Sequence, residues 1–383
     1  MTDLAELSKR FGLGDVPDVM EVSRIFADDA VAREFLEALV WPTGAFCPHC
    51  GSVHIWRHKK AVAYQRKAPL KKKTERKRRE GVHECADCFR QFTVTTRTPM
   101  HATKLPLGKW IVALYLVVTS SKGIASVINA RWLGVDQETA WKMGHALREL
   151  MDLRHEAEPA LSGIVEVDTK RIGGAPRQQK HVYHPPGKGS AKPIVAIATE
   201  RQGEVRAAVV QGESQADIEP LMTATIDSSA NIMSDQDRAI AAAAKGFARH
   251  DAVNHSAKEF VRKERRGKTT VKVHSNTADA FGGQLERAKV GVYHRFGDWH
   301  LQRYVDEIAF RWNHRRHRAY VGKDGLPRTA VVIDPVVQQM ADLLRHAVGR
   351  QVRLKRGSGL VWPDPIAPGY PAAPVRLPKS TAA

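Results

Sequence analysis

Four cysteines in two close pairs constrain the fold of this chain more than any other feature. Cys47 and Cys50 enclose two residues, as do Cys85 and Cys88, and the 383-residue chain has no other cysteine. Two intervening residues let both sulfurs face one ion, and four thiolates in two such pairs are a ligand set of structural zinc. The sequence therefore predicts a zinc ribbon, in which the metal stabilises a small fold without catalysis.

The spacer between the two cysteine pairs is longer than zinc ribbons usually have and is strongly basic. Residues 59–80 hold eleven Lys and Arg against two acidic residues. We interpret this run as an inserted loop that contacts DNA phosphates without reading sequence; a solvated loop is the alternative, and both hold if the loop orders on DNA. The candidate DNA-binding residues here are Lys71, Lys72, Lys73, Arg76, Lys77, Arg78 and Arg79.

The charge of the whole chain favours a polyanionic partner. Lys and Arg outnumber Asp and Glu by 60 to 41, a formal net charge of +19. The N-terminal residues have no apolar signal-peptide core, and the longest apolar run, 110–118, is too short to span a bilayer. The chain has no GxxxxGK[ST] segment either. We expect a cytoplasmic, nucleoid-associated protein without a membrane partner or a nucleotide cofactor.

A helical region follows the second cysteine pair. Residues 106–121, 124–133 and 137–150 read as helices, with Gly134 in the last turn and Asp136 placed to cap the third helix. This is the pattern of a helix-turn-helix, whose second helix enters the major groove with its first residues at base edges. An ordinary helical bundle is the alternative. The predicted base contacts are Gln137, Thr139 and Lys142.

β-type segments begin at residue 164. Residues 164–167, 193–199, 205–210 and 231–233 read as strands, and a helix is expected before the last of them, at 216–225. This order predicts a mixed sheet with helices.

Three acidic residues occupy related places in this pattern. Asp168 closes the first strand, Asp235 closes the fourth, and Asp279 lies at the start of a later helix. If neighbouring strands end together, the side chains converge at one sheet edge, where three carboxylates can hold two divalent ions about 4 Å apart. Oxygen ligands suit Mg²⁺ or Mn²⁺. Each aspartate alone is more often a turn or cap residue, so the order of the three is what indicates a site.

The remaining segments complete a multidomain α+β chain. Residues 299–313 read as a helix, and a solvated helix face is the alternative to a DNA-binding role for its basic residues. Those expected to line DNA are Arg311, His314, Arg315, Arg316 and Arg318, with Arg315 and Arg316 as candidate contacts. From Pro363 onward six of 21 residues are proline, which predicts an extended tail. The expected domains are a helical segment (1–40), the ribbon with its insertion (41–104), the helix-turn-helix domain (105–155), a catalytic domain (160–318) and a C-terminal extension (319–383).

Several of these segments resemble bacterial insertion-sequence transposases of the ISXO-like group. The similarity is carried by WPTGAFCPHCG (41–51), CADCFRQFTVTTRTPMHATKLPLGKW (85–110), LSGIVEVD (161–168), IGG (172–174), VNHSAKEFVR (253–262), VGVYH (290–294) and LQRYVDEIAFRWN (301–313). These enzymes join a zinc ribbon to a DDE catalytic domain of ribonuclease-H-like fold.

The resemblance implies a function for the three acids. Asp168, Asp235 and Asp279 would be the metal-binding catalytic triad of an enzyme that hydrolyses the 3′ ends of an insertion sequence and transfers them into target DNA. It also implies double-stranded DNA, both element ends and target, as the partner, and a homo-oligomer on that DNA.

The sequence departs from this family close to the expected triad. The family usually has Glu where this chain has Thr169 and Asp279, Trp at the position of Gly282, and Lys at the position of Glu286. Glu286 lies about two helical turns beyond Asp279 and is the alternative third ligand. The departures leave three functions open: an active transposase, a nuclease that cuts without strand transfer, or a decayed descendant that binds specific DNA without cutting it.

Overall fold

A computed structural model describes residues 3–14, 17–60, 62–63, 78–152, 160–173, 192–351, 353–355 and 359–361. The chain forms two compact units. Unit 1 comprises residues 1–119, 126–150 and 335–383, and unit 2 comprises residues 120–125 and 151–334. Within the described part, no helix is both long and apolar enough to cross a membrane.

The helices of unit 1 form around capping aspartates and apolar faces. They are α1 (Leu4–Arg10), α2 (Val19–Ile25), α3 (Asp29–Val40), α4 (Leu107–Thr119), α5 (Ser126–Leu133), α6 (Gln137–Glu149) and α11 (Val336–Leu344). The carboxylates of Asp3, Asp18 and Asp28 accept backbone N–H groups at the starts of α1 to α3. Helix α11 packs against α3 and α4, so the chain returns to this unit after residue 334.

Helices α4, α5 and α6 correspond to the three helices that the sequence predicts. Gly134, between α5 and α6, has φ +60°, a left-handed conformation that glycine adopts without strain. Asp136 caps α6 as expected, because its carboxylate accepts the N–H of Thr139 at 2.7 Å.

The strands of unit 1 are short and antiparallel. A three-stranded sheet has the order β1 (Ile55–Arg57), β4 (His83–Cys85), β5 (Gln91–Phe92). Two further pairs are β2 (Val62–Ala63) with β3 (Arg78–Arg79), and β15 (Arg353–Lys355) with β16 (Gly359–Val361). The inserted residues 64–77 lie outside the described residues, and so do the candidate contacts Lys71, Lys72, Lys73, Arg76 and Lys77.

Unit 2 is built on a five-stranded mixed sheet. Its strands are β6 (Ile164–Arg171), β7 (Ile194–Glu200), β8 (Val205–Val210), β9 (Asn231–Asp235) and β10 (Arg249–Val253), in the order β10-β9-β6-β7-β8. β6, β7 and β8 are antiparallel, whereas β9 is parallel to both β6 and β10. This arrangement is consistent with a ribonuclease-H-like domain, and the predicted fold class of a zinc-ribbon region followed by a mixed sheet with helices is confirmed.

Helices cover both faces of this sheet. They are α7 (Gln215–Thr225), α8 (Arg238–Ala243), α9 (Asn276–Ala288) and α10 (Leu301–Asn313). Val165 and Val167 of β6 face the core formed by α7 and α8, and Ile197 of β7 belongs to the core formed by α9 and α10. Because successive residues of a strand face opposite sides, Glu166 and Asp168 lie on the α9 side.

Two β-hairpins depart from the sequence expectations. The first joins β11 (Arg262–Arg266) to β12 (Thr269–Val273), between β10 and α9; the second joins β13 (Arg315–Val321) to β14 (Pro327–Ile333) after α10. Arg315, Arg316 and Arg318 were expected on a helix, and this is wrong. Helix α10 ends at Asn313, where the cap residue closes the last turn, and the residues that follow pair with β14.

The position of Asp168 in its strand also differs from the prediction. Asp168 does not close β6. The strand continues for three more residues, because it stays paired with β7 as far as Arg171, opposite Ile194. Asp235, in contrast, is the last residue of β9, as expected.

Candidate active site and zinc site

The four cysteine sulfurs form one cluster in unit 1. The Sγ atoms of Cys47 and Cys88 are 3.6 Å apart, as are those of Cys50 and Cys85, and all four lie within 4.8 Å of one another. Tetrahedral Zn–S bonds of about 2.3 Å put the sulfurs ~3.8 Å apart, so the cluster fits a zinc ion. Gly51, at φ +80°, makes the turn after the first pair.

A histidine close to this cluster belongs to the apolar core of the ribbon. The ring of His83 stacks on Phe92 at 5.5 Å and meets Trp41 edge-on at 5.1 Å. Burial, with the nearby charge of Arg57, lowers the pKa of His83 to about 4. His83 is therefore a neutral packing residue, and the cysteines supply the ligand set.

In unit 2, Asp168 and Asp235 lie on neighbouring parallel strands. The last pair between β6 and β9 is Glu166 with Met233, and Asp168 and Asp235 each follow that pair by two residues. Residues two apart in a strand share a face. The two aspartates therefore belong to the α9 face of the sheet, just beyond the end of the pairing.

Asp279 approaches the same place from the first turn of α9. The pKa of Asp168 is raised to about 7, chiefly by burial and then by the negative charges of Asp279 and Asp235. The N–H of Thr169, 2.7 Å from Oδ1 of Asp168, and the charge of Lys170 act in the opposite direction. The structure thus brings the three predicted acids into one electrostatic cluster.

The acid cluster is more open than the cysteine cluster. Among the described residues, only the four cysteines place their ligand atoms all within 4.8 Å of one another. The three aspartates do not form a group that meets this distance.

Glu166 connects the strand that carries Asp168 to the helix that carries Asp279. Its carboxylate is fully buried. Oε2 accepts the N–H groups of Thr277 at 2.6 Å and Ala278 at 3.3 Å, and Oε1 accepts the Thr277 hydroxyl at 3.0 Å. Ser275, at the N-cap position, makes no side-chain cap bond, so the strand carboxylate caps α9 in its place.

Arg201 completes this connection. Its Nε and Nη2 donate to Oε1 of Glu166 at 2.9 and 2.7 Å, and Nη1 donates to the carbonyl oxygen of Lys272 at 2.8 Å. Nη2 also donates to the carbonyl oxygen of His274 at 3.3 Å. One arginine therefore compensates the buried charge of Glu166 and fixes the chain that leads from β12 into α9.

Comparison with known protein families matches both units. Residues 160–313 match the family model of the ISXO2-like transposase domain, and residues 27–91 match that of the transposase zinc-ribbon domain. The chain therefore carries a domain similar to the ISXO2-like transposase domain and a domain similar to the transposase zinc ribbon. The first match contains the three clustered aspartates, and the second contains all four cysteines.

One curated protein is also similar to part of this chain. The uncharacterized protein in transposable element ISH50 of Halobacterium salinarum (strain ATCC 700922 / JCM 11081 / NRC-1) is 23% identical over 145 residues. The match covers 38% of this chain and 42% of that protein, so the chain spans less than half the length of the curated relative. No solved structure matches this chain.

The positions at which this chain departs from the family pattern have identifiable neighbours in the structure. A Cβ atom added at Gly282 would lie 3.4 Å from Cδ of Lys170, so the Lys170 stem occupies the space beside α9 where a tryptophan would project. The Thr169 hydroxyl lies 3.5 Å from a carboxylate oxygen of Glu213. Glu286, the alternative ligand, lies 3.9 Å from Lys289, and 37% of its side chain is exposed.

The residues that the sequence assigns to base contacts lie at the start of α6. Gln137 donates to the Ser126 hydroxyl at 2.9 Å, Lys142 pairs with Glu138 at 2.7 Å, and the Thr139 hydroxyl donates to Asp136, the cap residue, at 2.9 Å. These polar side chains hold one another in place at a helix start that is exposed to solvent.

The basic residues of the ribbon and of the segment after α10 differ in their burial and in their side-chain partners. Arg311 is buried and pairs with Glu307 at 2.7 Å, so the expectation that it lines DNA is wrong. Arg315 lies over the ring of Trp312, Arg316 pairs with Asp334, and Arg79 donates to the Gln91 side chain at 3.4 Å. The backbone of Arg78 lies in β3.

Proposed function

We propose that this chain is a transposase that binds the terminal inverted repeats of an insertion sequence, hydrolyses DNA at its 3′ ends and transfers those ends into target DNA. The observation that supports the proposal best is the acid cluster. Asp168 and Asp235 each lie two residues beyond the last paired positions of neighbouring strands, and the charges of Asp279 and Asp235 both raise the pKa of Asp168.

The donor set of the cluster fits two magnesium or manganese ions. Asp168 and Asp235 are half-buried and Asp279 is exposed. Neighbouring carboxylates repel one another, and divalent cations relieve that repulsion. Asp168, Asp235 and Asp279 are the proposed ligands. When bound, such an ion pair supplies electrostatic stabilisation of the attacking and leaving oxygens. The role of the chain is to hold the three carboxylates on one rigid frame of β6, β9 and α9.

The proposed reaction consists of two displacements at phosphorus. Hydrolysis consumes one water, breaks one P–O bond and leaves a 3′-hydroxyl at the element end. That hydroxyl then attacks a target phosphodiester, so one P–O bond forms while another breaks and the target 3′-oxygen leaves. Strand transfer conserves the number of phosphodiester bonds and therefore needs no nucleotide cofactor.

DNA binding is assigned to both units. We propose that the ribbon insertion (Lys71, Lys72, Lys73, Arg76, Lys77, Arg78 and Arg79) and the start of α6 (Gln137, Thr139 and Lys142) bind the terminal repeats. Arg315 and Arg316 of β13 would contact phosphates of the same DNA. Because two element ends must be joined to one target, we propose a homo-oligomer on DNA.

The test uses the full-length, zinc-loaded protein and a labelled duplex with the terminal repeat of the element. Wild type, D168N, D235N and D279N are compared in Mg²⁺ and in Mn²⁺, with and without a target plasmid. E286Q is the matched control, because it changes an acid on the same helix as Asp279. We expect 3′-end nicking and plasmid joining in wild type and E286Q, and neither in the three aspartate variants.

Other results would point elsewhere. Nicking that survives in D279N but is lost in E286Q would make Glu286 the third ligand. Nicking without plasmid joining would indicate a nuclease. Specific binding of the repeat without cleavage in either metal would contradict the enzyme and leave a DNA-binding protein.

A further inference from the structure

The hairpin β11–β12 has two faces of different character. Both strands alternate between partly buried and exposed residues, and Arg262 pairs with Val273 at the root of the hairpin. Residues of the inner face pack towards β10, which contacts β12. Residues of the outer face are exposed to solvent.

The inner face holds a network of ion pairs. Glu264 accepts from Arg262 at 2.8 Å and from Arg266 at 3.0 Å. Asp251 of β10 pairs with Arg249 and Arg266, at 3.0 and 2.5 Å. Glu264 on the hairpin and Asp251 beside it therefore form ion pairs with arginines.

The outer face is cationic and has no acidic residue. It presents Lys263 and Arg265 of β11 and Lys272 of β12, and Lys268 follows in the turn. Lys263 lies directly opposite Lys272. Like charges placed opposite each other destabilise an antiparallel pair, so this arrangement gains stability when an anion lies across it.

The root of the hairpin is anchored to the acid cluster. Arg201 donates to the carbonyl oxygen of Lys272, and the same guanidinium holds Glu166, which caps α9. Helix α9 begins three residues after β12 ends and carries Asp279 in its first turn. A ligand on the outer face would therefore be held by a segment tied to the catalytic helix.

We infer that the outer face of this hairpin binds the sugar–phosphate backbone of the DNA that enters the acid cluster. Cations at Lys263 and Arg265 repeat about every 6.7 Å along the strand, a linear pattern that suits a polyanion of regularly spaced charge. Apart from Thr270, which lies opposite Arg265, this face presents Lys and Arg side chains, and we expect these to contact phosphates and position the DNA without reading its sequence. The inference rests on the proposed function, which supplies the DNA.

The test compares two triple variants that remove the same charge. K263Q/R265Q/K272Q alters the outer face, and K9Q/R24Q/K245Q alters exposed cations elsewhere. Each full-length protein is titrated with the terminal-repeat duplex between 50 and 200 mM salt. Each phosphate contact contributes about 0.9 to the slope of log K against log salt, so the hairpin variant should lose about 2 to 3 of that slope and about 10- to 100-fold in affinity.

The control triple variant should keep the wild-type slope and bind within about twofold of wild type. A hairpin variant with the wild-type slope, or equal losses in both variants, would overturn the inference. A second measurement needs no variant: DNA should protect Lys263 and Lys272 of the wild-type protein from acetylation, read by mass spectrometry, and should leave Lys245 reactive. Equal acetylation with and without DNA would also overturn it.

The design separates this inference from the proposed function. If the proposed function fails, wild type does not nick DNA in either metal, and the difference in salt slope can still be measured. If the hairpin inference fails, wild type nicks DNA and the hairpin variant shows the unchanged slope.

Discussion

Oε2 of Glu166 lies 2.6 Å from the backbone nitrogen of Thr277, so a carboxylate from the middle of a sheet caps a helix 111 residues later in the chain. The free N–H groups and the positive end of the helix dipole at the start of α9 both favour an anion. Asp168 follows Glu166 by two residues, and Asp279 follows Thr277 by two. The contact between Glu166 and Thr277 therefore fixes the position of Asp279 relative to Asp168.

The first prediction concerns this cap. E166Q removes the charge that compensates Arg201 and leaves a buried amide N–H group facing donors, so we expect the free energy of unfolding to fall by about 3 kcal/mol. Cleavage should fall further than stability explains, because α9 loses its fixed position. Chemical denaturation and single-turnover cleavage at a temperature where the variant is folded measure both effects.

A matched control uses the same substitution at an exposed ion pair. Glu34 pairs with Arg10, and about half of its side chain is exposed. E34Q should change the free energy of unfolding by less than about 1 kcal/mol and leave cleavage unchanged. Equal effects of the two variants would contradict the assignment of Glu166 as a positioning residue.

The second prediction concerns pH. Burial, with the charges of Asp279 and Asp235, raises the pKa of Asp168 from the ordinary 3.8 to about 7 in the folded protein. Folding therefore takes up a proton between these values, and the associated stability is complete below about pH 4 and is lost as the pH rises through about 7. D168N should become progressively more stable than wild type over this window, by on the order of 4 kcal/mol above pH 7.

Thermal melts from pH 5 to 8, in buffer without magnesium or manganese, measure this difference. D227N is the control, since hydrogen bonds from Ser229 lower the pKa of Asp227 and its neutralisation should give no gain. Adding Mg²⁺ should stabilise wild type and leave D168N unchanged. A constant difference between D168N and wild type over the whole range would contradict a raised pKa.

The third prediction concerns zinc. C85S removes one of four ligands, and we expect the ribbon strands β4 and β5 to lose protection from hydrogen exchange, because structural zinc sites contribute directly to folding. Strands β6 and β7 should keep their protection, since they belong to the other unit. Hydrogen exchange with mass spectrometry reads both. Unchanged exchange in β4 would argue against a structural metal.

The fourth prediction concerns Lys170. Its stem packs beside Gly282, and its charge partly offsets the acids around Asp168. K170M keeps the stem and removes the charge, so we expect about tenfold slower cleavage, which corresponds to ~1.4 kcal/mol, with little change in stability. K170R is the control and should retain most of the activity. Wild-type rates in K170M would show that the ammonium group has no part in the reaction.

The elements that the sequence predicts well are those whose apolar pattern decides their structure. β8 matches its predicted range, and α6 ends within one residue of it, because buried apolar residues recur in these segments at the spacing of a strand or a helix. The sequence also predicts a site at Asp168, Asp235 and Asp279, because each of these acids lies in a strand or helix with a recognisable apolar pattern.

The segments that the sequence reading missed are rich in charge. β10 and the hairpin β11–β12 carry partly exposed ion pairs between arginines and acids, so their strand character does not appear as apolar alternation. The run after Asn313 was taken for helix because its arginines alone do not reveal a partner strand. The role of Glu166 depends on a contact across 111 residues, which no local pattern contains; a glutamate between two buried valines was the only signal.

Helix α11 completes unit 1, although it follows unit 2 in the sequence. Val337, Met340, Leu343 and Leu344 are buried in unit 1, yet the ribosome synthesises them after the whole of residues 151–334. During translation, the apolar surface of the N-terminal helices that α11 covers therefore stays exposed until the sheet of unit 2 has been synthesised. We expect the zinc-binding unit, although it begins first, to be the last part of the nascent protein to close.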